Sequence, residues 1–142
     1  LKVKLRHFPD EIVARQRVAE AYSSKLAAGA RADDDTRSVN GVVTPTVLPH
    51  NTSTWAQYTI RVPNRDQVRS ELKDKGIPTS VHYPTPLHAQ DAFAGIESAE
   101  NPEAAKAASE VLSLPMHPFL TDDEITVVTD AIAAAVGAGA GV

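Results

Sequence analysis

Apolar positions along the chain alternate between helical and extended spacing, and the alternation predicts four helices and three short strands. Residues 10–28 read as a helix. Pro9 suits its first turn, Asp10 and Glu11 favour its positive end, and Phe8, Ile12, Ala19, Tyr22 and Leu26 recur on one expected buried face. Gly29 supplies a stop, and residues 31–41, with three consecutive Asp and a final Asn-Gly, read as a polar loop. Residues 44–54 are an extended connector with two prolines. WAQYTIRV (55–62) then alternates. Ala56, Tyr58, Ile60 and Val62 are expected to face inward, and Trp55, Gln57, Thr59 and Arg61 outward.

The helix expected at 65–75 follows Asn64, read as its N-cap, with Gln67 completing a loose capping box. Val68 and Leu72 face inward, and Gly76 fits the position after the C-cap. Residues 79–82 can form a second strand. Asn101 and Pro102 open a helix whose inward residues are expected to be Ala104, Ala108 and Val111. Residues 112–114 are a third strand. The last helix has the strongest start: Thr121 with Glu124 as a capping box, and Leu120 with Ile125 as a hydrophobic staple. Ile125, Val128, Ile132 and Val136 form its buried stripe. This order predicts an α/β (α+β) fold, a small three-stranded sheet covered by helices on one face.

With 142 residues, 42 % of them apolar, the chain suits a single core. It has no cysteine, which excludes disulfides and thiolate metal sites and agrees with a cytoplasmic setting. No apolar run is long enough to span a membrane. The net charge is −4, divided into +4 over residues 1–31 and −8 over the rest, which argues against nucleic acid as a partner. The chain opens on Leu1 inside an already patterned segment, so a piece of something longer is expected.

The candidate chemistry is histidine chemistry. His82, His88 and His117 lie in Pro-rich turns near expected strand ends, where ligand-contacting loops commonly sit. In VHYPTPLH (81–88), Pro84 and Pro86 stiffen a stretch bearing two imidazoles and a phenol. A stiff wall loses less entropy when a ligand docks, and these groups can hydrogen-bond sugar hydroxyls or phosphate oxygens. Two other readings stand beside this one. Tyr83 could be half-core with His82 at a strand end, or His82, His88 and Asp91 could converge on zinc. No phosphate-binding glycine loop, nucleophile elbow or HExxH motif occurs.

Taken together, WAQYTIRV, NRDQV, GIPTSVHYPTPLH and LSLPMHPFLTDDE resemble the C-terminal part of the DegT/DnrJ/EryC1/StrS family. These are pyridoxal-phosphate-dependent aminotransferases of nucleotide-linked keto-sugars, enzymes of polysaccharide biosynthesis. The resemblance implies the small C-terminal domain of a fold-type I aminotransferase. Residues 1–30 would be a lead-in helical segment, 31–54 a loop and connector, and 55–142 the small domain. The implied partners are the nucleotide-sugar, glutamate as amino donor, the rest of the enzyme and a second subunit. The region of His82 and Tyr83 is implied to border the substrate pocket, with His88 a weaker contact and Trp55 and His117 weaker still.

The lysine that carries the cofactor lies upstream of the matched region in that family. No catalytic residue is assigned here, no bound cofactor or metal is expected, and the chain alone is not expected to transaminate. The alternative is a non-catalytic sugar-nucleotide-binding or assembly module on the same fold.

Overall fold

The computed structural model describes residues 2–27, 41–96 and 101–139. The stop at Gly29 and the expected polar loop at 31–41, all but its last residue Gly41, lie outside them. A short helix, α1 (Lys2–Leu5), leads into α2 (Phe8–Ala27). Then come β1 (Tyr58–Arg61), α3 (Arg65–Asp74), two 3-10 turns at Leu87–Ala89 and Asp91–Phe93, α4 (Pro102–Glu110), β2 (Val111–Leu114) and α5 (Asp122–Gly139).

β1 and β2 pair antiparallel, with Tyr58 opposite Leu114 and Ile60 opposite Leu112. Those four side chains are buried and form the floor of the core. Val18, Tyr22, Val68, Leu72, Ile125 and Ile132 pack onto it from α2, α3 and α5. The alternation read at 58–62 is thus the register of a half-buried strand: Tyr58, Ile60 and Val62 are all buried.

The sheet is narrower and differently edged than expected. The strand expected at 79–82 contributes one bridge, Ser80 to Ser113. In the register of this bridge the next hydrogen-bonded pair toward one end is Pro78 with Pro115, neither of which has an N–H to donate, so the ladder cannot lengthen that way. An unexpected bridge, Val43 to Arg61, extends the opposite edge.

β1 also begins later than expected. Trp55 takes a left-handed backbone (φ 48°), which breaks the extension and leaves Ala56 exposed. For a bulky residue that conformation costs about 1–2 kcal/mol. It is offset by a dense set of contacts: Trp55 Nε1 donates to Gln16 Oε1 (2.8 Å), Arg15 donates to the Trp55 carbonyl (2.9 Å), and the indole packs 5.5 Å from the Tyr58 ring.

Three expected faces and caps are also corrected. On α2 the buried residues are Val18, Ala19, Tyr22 and Leu26; Phe8 is exposed and Ile12 half-buried, because the first half of the helix runs past the edge of the core. Asn64 does not cap α3 with its side chain. Its backbone is left-handed (φ 49°), which turns the chain into the helix, and Gln67 bonds Glu71 instead. On α4 only Ala108 is buried, and Val111 already belongs to β2.

The other caps form as read. Gly76 (φ 74°) closes α3 in a Schellman arrangement: its N–H bonds the Lys73 carbonyl and the Ile77 N–H bonds the Leu72 carbonyl. Asn101 accepts from the Ala104 N–H. Thr121 and Glu124 bond reciprocally while Leu120 and Ile125 are buried beside them.

Candidate functional site

Because side chains alternate along a strand, the face of the sheet opposite the core carries Thr59, Arg61, Val111 and Ser113. Thr59 and Ser113 sit directly across from each other and their hydroxyls bond at 2.8 Å. The Ser80 bridge then delivers the following segment to this same face. His82 Nδ1 lies 3.4 Å from Ser113 Oγ and 3.1 Å from Gln57 Nε2, just before β1. Beyond His82, whose peptide link to Tyr83 is cis, the proline-stiffened stretch turns over the sheet edge into the first 3-10 turn.

α4 faces this stretch across a cleft of about 580 Å³. His82, Tyr83, Leu87 and His88 line one side; Asn101, Ala104 and Ala108 line the other. The alanines of α4 keep that wall low, which leaves the width. Tyr83 stands 72 % exposed, its ring edge-on to the His82 imidazole at 5.6 Å. The cleft therefore offers an imidazole, a phenol, a second imidazole and a carboxamide over an apolar floor, a set suited to hydrogen-bonding hydroxyls and phosphate oxygens.

The C-terminal end of α4, the back of this cleft, is held by donors from elsewhere. The buried Arg65 guanidinium donates to the carbonyls of Ala108 (3.2 Å) and Val111 (3.1 Å). The Val62 N–H bonds the Glu110 carbonyl, and Arg61 pairs with the Glu110 carboxylate at 2.7 Å.

The three histidine and tyrosine positions singled out in the sequence thus meet at one cleft, and the two weaker ones do not reach it. Trp55 lines a second hollow of about 430 Å³ between α2 and the connector. His117 accepts from the Phe119 N–H and lines neither. Asp91 does not line the His82 cleft, and among the described residues no group of three or more His, Asp or Glu is placed to hold a metal ion. Gln57, Ser113 and Asn101 are site residues that sequence reading left unassigned. The outward parity of Gln57 along its strand was the available signal for one of them.

Two phenols behind the sheet are strongly perturbed. Burial pushes Tyr58 up to about 12, against a smaller opposing effect of its 2.7 Å bond to Ser23. Burial, then the neighbouring Tyr58 and Glu124, raises Tyr22 further, and its hydroxyl bonds the Pro115 carbonyl. Both are core groups without access to the cleft.

The donor set does not fit pyridoxal phosphate held by this chain alone. Such a site needs an amine to carry the cofactor. Lys2, Lys4, Lys25, Lys73, Lys75 and Lys106 are all exposed, and none lines either cleft.

Residues 1–133 match the model of the DegT/DnrJ/EryC1/StrS aminotransferase family. The chain is 43 % identical, over 91 % of its length, to UDP-2-acetamido-2-deoxy-3-oxo-D-glucuronate aminotransferase of Pseudomonas aeruginosa. It is 34 % identical, over 93 % of its length, to dTDP-3-amino-3,4,6-trideoxy-alpha-D-glucose transaminase of Streptomyces venezuelae. It spans about a third of the length of these relatives. Among solved structures, a DegT DnrJ EryC1 StrS aminotransferase from Brucella abortus superposes with a TM-score of 0.81 at 33 % identity, covering 96 % of this chain and 34 % of that one. S. venezuelae DesV in complex with a ketimine intermediate gives 0.81 at 32 % identity, covering 95 % and 34 %. The mixed fold with its small antiparallel sheet is therefore that of fold-type I aminotransferases of this family. Among the described residues, no helix is long and apolar enough to cross a membrane.

Proposed function

The chain belongs to the DegT/DnrJ/EryC1/StrS aminotransferase family, and we propose that it supplies one wall of the nucleotide-sugar pocket in a pyridoxal-phosphate-dependent aminotransferase acting on keto-sugars. The observation that carries this reading is the meeting of His82, Tyr83 and His88 on one open cleft, in a chain whose relatives are named for UDP- and dTDP-linked sugars. Tyr83 and His82 contact the substrate, and His88 stands at the far end of the same wall. Within this reading residues 1–30 are the lead-in, 31–54 the connector and 55–142 the small domain. The lysine amine that carries the cofactor belongs to polypeptide outside these 142 residues, and glutamate is the amino donor. A second subunit closes over the exposed Tyr83 and Leu87, giving a cytoplasmic homodimer that works in polysaccharide biosynthesis.

Backbone amide NMR of the chain titrated with UDP-N-acetylglucosamine, and separately with dTDP-glucose, tests the pocket. Shifts concentrated at His82, Tyr83, Leu87 and Asn101, and lost in His82→Ala, are expected. Shifts centred elsewhere, or equal shifts in His82→Ala, would remove the pocket assignment and leave a non-catalytic assembly module as the better account.

A further inference from the structure

The ring of His82 has two nitrogens with different surroundings. Nδ1 is turned toward the sheet, 3.1 Å from Gln57 Nε2 and 3.4 Å from Ser113 Oγ. A carboxamide nitrogen can only donate, so Nδ1 must accept. In the neutral ring the single proton then sits on Nε2. Ser113 backs this arrangement. Its hydroxyl is held by Thr59 Oγ1 at 2.8 Å, directly across the β1–β2 ladder, so the polar group beneath the ring is rigid.

We propose that Gln57 is a positioning residue, fixing the His82 imidazole with Nε2–H presented to the cleft as a donor. The ligand atom it serves is therefore an acceptor, a phosphoryl or hydroxyl oxygen. This rests on the pocket reading above and sharpens it, because it says which atom of His82 meets the ligand and in which tautomer. Neither Gln57 nor Ser113 reaches the ligand. They act through the ring, and Gln57 lies 25 residues from it in sequence.

The tautomer can be read without any ligand, which separates this inference from the function it deepens. Imidazole heteronuclear NMR of the chain, read on the neutral ring, should show His82 protonated at Nε2. The decisive variant is Gln57→Glu, nearly the same shape but a carboxylate that can only accept. It should pull the proton to Nδ1 and invert the tautomer, with the β1–β2 amide signals unchanged. UDP-N-acetylglucosamine should then bind about tenfold more weakly to Gln57→Glu than to the parent chain. An Nδ1-protonated ring in the parent chain, or a tautomer indifferent to Gln57→Glu, overturns the inference whatever the ligand does. An inverted tautomer with undiminished nucleotide-sugar binding overturns the donor role of Nε2–H. A parent chain that does not bind the probe while its tautomer inverts as expected strikes the pocket reading, and with it the ligand half of this inference.

Discussion

Replacing Arg65 by Met should loosen the back wall of the cleft by a calculable amount. Arg65 is 6 % exposed, and its Nη1 reaches both the Ala108 and Val111 carbonyls, while Nε bonds the exposed Asp66 carboxylate. Met fills much the same stem volume but donates nothing. Asp66 simply returns to water and adds little. The two carbonyls stay at the end of α4 without their donor. A hydrogen bond to a charged donor contributes about 1.5–3 kcal/mol, and a cation at a helix C-terminus about 0.3–1 kcal/mol more. Because one nitrogen serves both carbonyls, the bonds are not counted twice. The relief from no longer burying a charge offsets part of the loss.

A net loss of about 1–3 kcal/mol follows. With a urea dependence of about 2 kcal/mol per molar, the middle of the usual range, the unfolding midpoint should fall by about 0.5–1.5 M. Urea melts followed by circular dichroism, and by the fluorescence of the single Trp55, measure it. Arg65→Lys should fall in between, since it keeps the charge but not the fork. A midpoint that moves by less than the equivalent of about 0.5 kcal/mol, the size of an ordinary surface change, would mean that water already serves these carbonyls. The claim that Arg65 holds α4 would then be wrong.

Alkaline unfolding should track the buried phenols. The folded pKa of Tyr58, about 12, exceeds the ordinary value near 10, and Tyr22 is raised as well, so their contribution is whole below about pH 10 and is lost as pH rises through the folded values. Tyrosinate absorbance from these two should grow together with loss of helical dichroism, and Tyr58→Phe should move the alkaline midpoint upward; an unmoved midpoint refutes the link. At the other end of the scale, bonds from the Thr121 backbone and hydroxyl hold the Glu124 carboxyl below its usual range, so that contribution is present at neutral pH and lost as pH falls through the lowered value. Thr121→Ala should cost about 1 kcal/mol at neutral pH, by urea melt, and less in acid. Gly76→Ala should cost about 1–2 kcal/mol from backbone conformation alone, since an added Cβ meets nothing within 4 Å at φ 74°; thermal melts within error of the parent would refute it.

Much of the local architecture is legible along the chain. The Schellman close at Gly76 and the capping box and staple at Thr121 depend on contacts between residues a few positions apart, and the common face of Tyr58, Ile60 and Val62 follows from the two-residue alternation of an extended backbone. So does the stiff wall at 82–88, because proline restricts its own backbone and that of its neighbour. The misreadings arise where distant packing competes with local preference. Phe8 has the right helical spacing, but no part of the core extends far enough to cover it. Trp55 belongs by type in a strand, yet Gln16 and Arg15 on α2 hold it in a left-handed turn. Asn64 is a favoured N-cap, but entering α3 at the required angle uses its tolerance of positive φ instead.

What the sequence determined by itself, then, is the set of elements and the identity of the polar groups available to the cleft. Their convergence is a tertiary matter. His82 finds Gln57 and Ser113, 25 and 31 residues away, only because β1 and β2 pair in one register and Ser80 joins at one point along it. Shifting a strand by a single residue sends every side chain to the opposite face. The burial of Tyr58, Ile60, Leu112 and Leu114 forbids that shift, so the core on one side of the sheet decides which polar groups meet on the other.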